Sequence, residues 1–114
     1  MSEKIKFIIP KKHENLTIIR LTTSAVANKI SFSIEKIEDL KVCVSEVCNM
    51  LFQNGDGEDF EIDYEISEKS LKISFKDGTI TEYIDKYEIN LMILEALLDS
   101  LDFRGDNITL ELNV

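Results

Sequence analysis

One histidine and two cysteines are the only imidazole and thiol groups in this 114-residue chain. Cys43 and Cys48 stand five residues apart, which on a helix turns them to different faces, and His13 is far from both in sequence. No Cys-x-x-Cys occurs. The spacing therefore excludes a paired ligand set, and no metal site is expected. Both thiols read as small core or half-buried residues of a reducing compartment. Long hydrophobic runs are also missing. Met1-Ser2-Glu3-Lys4 leads into a short alternating run, so neither a secretory leader nor a membrane span is visible, and a cytoplasmic location is expected. Basic residues are scarce: 13 Lys and Arg stand against 22 Asp and Glu, a net charge of −9, and the cations do not cluster. A phosphate backbone repels such a surface, which argues against direct binding to DNA or RNA. The same acidity suits a basic protein partner, or serves solubility alone. There is no repeat, linker or low-complexity tract. With 44% hydrophobic residues, the composition is that of one globular domain spanning 1–114.

What is present is clear periodicity. Ile5, Phe7 and Ile9 alternate with polar positions up to Pro10, which predicts a short strand with one buried face. From about Lys12 to Lys29, Leu16, Ile19, Val26 and Ile30 fall near helical spacing. Ser33 is a helix N-cap candidate with Glu35 in the first turn. Behind it Ile37, Leu40, Val44, Val47, Cys48 and Leu51 form an apolar stripe, ended by Asn54-Gly55-Asp56-Gly57. Phe60, Ile62, Tyr64 and Ile66 then alternate with acids. After a turn at 67–70, Leu71, Ile73 and Phe75 alternate with Lys72, Ser74 and Lys76, so opposite charges face each other across a hairpin. A third helix is expected from about Tyr87 to Leu101. It is apolar nearly all round and needs cover from its neighbours or from a second subunit. Leu101–Phe103 and Ile108–Val114 read as strands around a turn at 104–107. The order predicts a two-layer α/β sandwich: a mostly antiparallel mixed sheet with three helices on one face. Asp56, Glu58 and Asp59 lack the spacing of a calcium loop and read as solvated acids.

The run Ile37-Glu38-Asp39-Leu40-Lys41-Val42-Cys43-Val44-Ser45-Glu46-Val47-Cys48 resembles the first ATPase box of the RsbW and SpoIIAB type of anti-sigma-factor serine kinase. Lesser likenesses extend over most of the chain. Ile19-Arg20-Leu21-Thr22 resembles that family's first helix. Leu71-Lys72-Ile73 through Asp77-Gly78 resembles the strand leading into its adenine-binding box. Leu94-Glu95-Ala96-Leu97-Leu98-Asp99 resembles its last helix. The resemblance implies the GHKL (Bergerat) ATPase fold of histidine kinases and HSP90, an ATP and magnesium site, a homodimer, and a sigma factor or an anti-anti-sigma protein as partner. It places the glutamate that polarises the attacking hydroxyl at Glu46. Asp77 and Gly78 fall in the adenine box. It puts Arg20 on a helix used for partner contact, whereas the plainer reading pairs Arg20 with a nearby acid.

The departures from the pattern bear most on function. The asparagine that holds magnesium, four residues after the glutamate, is Met50 here, and Asn49 beside it is rotated by about 100° around a helix. A thioether is a poor ligand for a hard cation that seeks oxygen. Asp77-Gly78-Thr79-Ile80 keeps the acid of the adenine box and displaces the glycine. Only a short segment separates Asp77 from the last helix, and Glu88-Ile89-Asn90 stands where relatives carry the glycines whose amides grip the phosphates. The expectation is a protein-binding regulator with an eroded ATP site, no required cofactor and no enzyme activity. Two alternatives stand beside it. One is an active ATP-dependent kinase of an anti-anti-sigma protein, using Asn49 or a partner residue for magnesium. The other is a binding module for a different small ligand between the second and third helices.

Overall fold

The computed structural model describes residues 2–53, 58–76, 84–104 and 107–114, with backbone alone at 84 and 85. Its elements are β1 (Glu3–Pro10), α1 (Leu16–Ala27), α2 (Ile34–Gln53), β2 (Asp59–Ile66), β3 (Ser70–Lys76), α3 (Glu88–Leu97), β4 (Ser100–Arg104) and β5 (Asn107–Asn113), with single 3-10 turns at His13–Asn15 and Ile84–Tyr87. The strands form one sheet in the order β1-β2-β3-β5-β4. The expected α/β sandwich is present, with one correction. All four pairings are antiparallel, so the sheet is not mixed. The chain path explains this. Two helices between β1 and β2 return the chain running the opposite way. The single helix after β3 makes β4 run in the direction of β3, but β5 is inserted between them and is antiparallel to both.

Alternation sets the layering. Phe60, Ile62, Tyr64 and Ile66 of β2, Leu71, Ile73 and Phe75 of β3, and Ile108, Leu110 and Leu112 of β5 are all buried, and the residues between them are not. One face is therefore dry and packs on the helices, while the other carries charge. On that wet face Glu61 sits opposite Lys76 and Glu65 opposite Lys72, as the hairpin pattern required. Lys76 Nζ reaches Glu61 Oε2 at 2.7 Å and Asp63 Oδ2 at 3.0 Å. The hydrogen bond from Lys76 holds the Glu61 carboxyl below its usual range.

The helix bounds differ from the sequence pattern at two places. α1 begins at Leu16, not near Lys12, because the preceding residues make a 3-10 turn and Asn15 Nδ2 donates to Pro10 O at 2.9 Å. α3 ends at Leu97 rather than Leu101. Leu98 is extended, Asp99 N donates to Glu111 O at 3.0 Å, and Ser100 opens β4. Strand pairing with β5 overrides the run of leucines there. Ser33 does cap α2, its Oγ accepting from Lys36 N at 3.2 Å. α2 packs against both other helices and supplies eight buried residues, Leu40, Cys43, Val44, Val47, Cys48, Met50, Leu51 and Phe52. Among the described residues, no helix is long and apolar enough to cross a membrane.

Inside the core, one polar link ties α1 to the sheet. Thr23 Oγ1 donates to Ile19 O at 2.8 Å and lies 2.8 Å from Tyr64 Oη. A hydroxyl has one proton. Thr23 has already given its proton to Ile19, so Tyr64 donates and Thr23 accepts. Both side chains are fully buried, and burial pushes the Tyr64 phenol up to about 12, against the bond to Thr23.

Candidate functional site

α2 is straight enough in pattern that its positions fix which side chains leave the core. Between Val47 and Phe52 only Asn49 is not buried. Glu46, one turn before Met50, is half-buried and faces α3. The residue that meets it is Asn90, in the first turn of α3, whose Nδ2 donates to Glu46 Oε2 at 2.5 Å. Three residues earlier, Tyr87 stands at the N-cap position of α3 with its ring buried, 5% exposed. Its Oη donates to the Met50 backbone oxygen at 3.4 Å. Met50 itself is 1% exposed and belongs to the hydrophobic core.

The site residues expected from sequence are thus distributed unevenly. Glu46 and Asn49 lie on α2 and only Glu46 is drawn to α3 by a hydrogen bond. Asp77 and Gly78 lie outside the described residues. Arg20 is on the exposed side of α1, beside the exposed Leu21, and makes no ion pair with any described residue. Thr17, Arg20, Leu21 and Lys41 line a shallow cavity of about 250 Å³ between α1 and α2.

In the sequence alone Asn90 stands only where a glycine is missing, and Tyr87 only at a helix start. Their contacts with α2 span 44 and 37 residues of chain, and no local periodicity encodes such a meeting. Position before the last helix was the one available signal.

The thiols near the site are not reactive groups. Burial first, then the Asp39 and Glu46 carboxylates, pushes Cys43 up to about 12, and burial alone does the same to Cys48. Both therefore stay protonated and act as small apolar fillers. Among the described residues, no group of three or more His, Cys, Asp or Glu side chains is placed to hold a metal ion.

A three-helix layer on a five-stranded antiparallel sheet, with a glutamate on the central helix turned toward the first turn of the last one, defines a two-layer α/β domain. No family model matches the chain. It is, however, 30% identical to the serine-protein kinase RsbW of Bacillus mycoides (strain KBAB4) over 91% of its own length and 79% of that protein's, and equally to RsbW of Bacillus cereus (strain B4264). It is 29% identical to RsbW of Bacillus thuringiensis (strain Al Hakam) with the same coverage. The chain belongs to the RsbW serine-protein kinase family. These matches run over 126 positions, more than the 114 residues of this chain, so the relatives carry residues within the matched stretch that this chain lacks.

Proposed function

We propose that the chain is an anti-sigma-factor-like regulator that acts by binding a protein partner and does not transfer phosphate. One observation carries the reading. On α2, the position where the family pattern wants an oxygen ligand for magnesium holds Met50, whose side chain is buried in the core. The Glu46 carboxylate is bonded to Asn90. A buried thioether does not fit a hard, octahedral cation that bridges phosphates. The donor set therefore does not suit a magnesium nucleotide, and no catalytic step is assigned to it. The relatives' extra residues within the matched stretch support the same reading, since a phosphate-gripping loop is the kind of segment such a difference would remove.

Partner binding falls to α1 on this view. Arg20, with Ile18 and Leu21 exposed beside it, offers a guanidinium framed by apolar surface, the composition of a binding hot spot. The proposed partner is a sigma factor or an anti-anti-sigma protein, met in the cytoplasm by a homodimer of this chain. Titration calorimetry with millimolar Mg-ATP is expected to give no heat. Saturable micromolar binding overturns the reading, as does phosphate transfer to an anti-anti-sigma protein detected by mass.

A second reading, the active kinase, draws support from its relatives' designation and from the retained Glu46. It requires that Asn90 release the carboxylate when substrate arrives. The phosphate-transfer experiment decides between the two.

A further inference from the structure

α3 is held to the core by few side chains, the buried Leu94 with Leu91 and Leu97 packed partly against it. Of its ten residues only Leu94 is buried, while Ile89 and Met92 are 75% and 63% exposed. A helix this short does not hold itself together in water and depends on what it packs against. Its N-terminus also has no side-chain cap. What meets it instead is a pair of bonds to α2. The donors, Tyr87 Oη and Asn90 Nδ2, are three residues apart in the α3 entry turn. The acceptors, Met50 O and Glu46 Oε2, are four residues apart on α2. Both donors come from the entry to α3 and both acceptors from the second half of α2. The two bonds therefore act side by side across a single seam, with the buried Tyr87 ring between the helices.

We infer that Tyr87 and Asn90 form an internal brace that holds the start of α3 on α2, and that Glu46 serves as the side-chain acceptor of that brace. The inference deepens the reading proposed above and rests on it for the duty of Glu46. A carboxylate whose Oε2 already accepts from an amide within the protein is fixed in orientation by that bond, which leaves Oε1 as the oxygen for a substrate hydroxyl to approach. In a domain that needs a ligand to order its last helix, binding and ordering are coupled. Here the brace supplies the order beforehand, so the surface that the helices present does not depend on nucleotide.

Hydrogen exchange on the whole chain tests the brace without any ligand. In Asn90→Ala, amides of residues 91–97 are expected to exchange about tenfold to a hundredfold faster than in the wild type, the worth of one hydrogen bond to a charged group. Amides of β3 and β5 should keep their rates. Glu46→Gln retains an acceptor of the same shape without charge, and its α3 amides should fall between wild type and Asn90→Ala. If both variants leave α3 exchange within about twofold of wild type, or speed α3 and the sheet alike, there is no brace. If Asn90→Ala does not fold, Glu46→Gln carries the test alone: selective loosening of α3 supports the brace, and unchanged α3 overturns it. Failure here is distinct from failure of the functional reading, which shows as Mg-ATP heat from the unmodified protein.

Discussion

Met50→Asn separates a vacant metal position from a core position. It installs the side chain that the family pattern carries there. If the site were merely one residue short of competence, the variant would recover magnesium-dependent nucleotide binding. The structure leads to the opposite expectation. Met50 is buried within the same cluster as Val47, Leu51 and Phe52. Removing its apolar surface costs about 1.5–3 kcal/mol, and placing an amide in the same surroundings adds about 1–3 kcal/mol. The sum, roughly 2.5–6 kcal/mol, is a large part of the stability of a domain this size and should lower the melting temperature by roughly 10 °C or more. Met50→Leu conserves volume and polarity and should cost less than about 1.5 kcal/mol. Urea titrations followed by far-ultraviolet circular dichroism measure both variants, and calorimetry with Mg-ATP measures the gain of binding. A Met50→Asn protein within about 1 kcal/mol of wild type would mean that the side chain does not act as core. Micromolar Mg-ATP affinity in that variant would mean that the position is still a metal site.

Three further outcomes follow from the structure. Thr23→Val leaves the buried Tyr64 hydroxyl without its acceptor and should cost about 1–3 kcal/mol, most of it regained when Tyr64→Phe is added. Strictly additive losses in that cycle would show that the 2.8 Å contact is not a bond. Cys43 and Cys48 should resist a thiol reagent in the folded protein and react once it is denatured. Their folded pKa values lie at about 12 against an ordinary 9.0, so the unfolded chain sheds its thiol protons first. Their contribution to stability is therefore complete below pH 9 and is lost as pH rises from 9 toward 12, which urea midpoints across that range would reveal. Arg20→Ala removes an exposed side chain and should change stability by no more than about 0.5 kcal/mol, yet weaken partner capture from native extract by about tenfold. Undiminished capture would move the partner surface off α1.

The legible parts of this fold are those written in short-range repeats. The apolar stripe from Ile37 to Leu51 announced α2 because a helix brings every third and fourth residue to one face. The hairpin of β2 and β3 was announced twice, by alternation and by acids meeting lysines, and the register Glu61 to Lys76 satisfies both. The end of α3 was hidden because leucines at 94, 97, 98 and 101 fit a helix as well as they fit a helix followed by a strand. Only the partner strand β5, through the bond from Asp99 N to Glu111 O, decides between them. The same holds for the Tyr64–Thr23 link and the Glu46–Asn90 contact. Each joins residues about 40 positions apart, and each depends on where three helices settle on the sheet.

The geometry of α2 also keeps its packing positions apart from its polar ones. The stripe that docks α2 on the sheet, at 40, 43, 44, 47, 48 and 51, shares no residue with the polar face at 46 and 49. Packing and ligand chemistry are therefore carried by separate faces of one helix, and substitutions on the second need not disturb the first. Met50 and Phe52 go further. By being buried they widen the apolar stripe around the last turns of the helix, until 46, 49 and 53 form the one narrow polar line that is left. At the head of that line, Asn90 closes on Glu46. A helix wrapped so far round by its own protein finds most of its packing partners within the chain, and Met50 is one of the residues that make that packing.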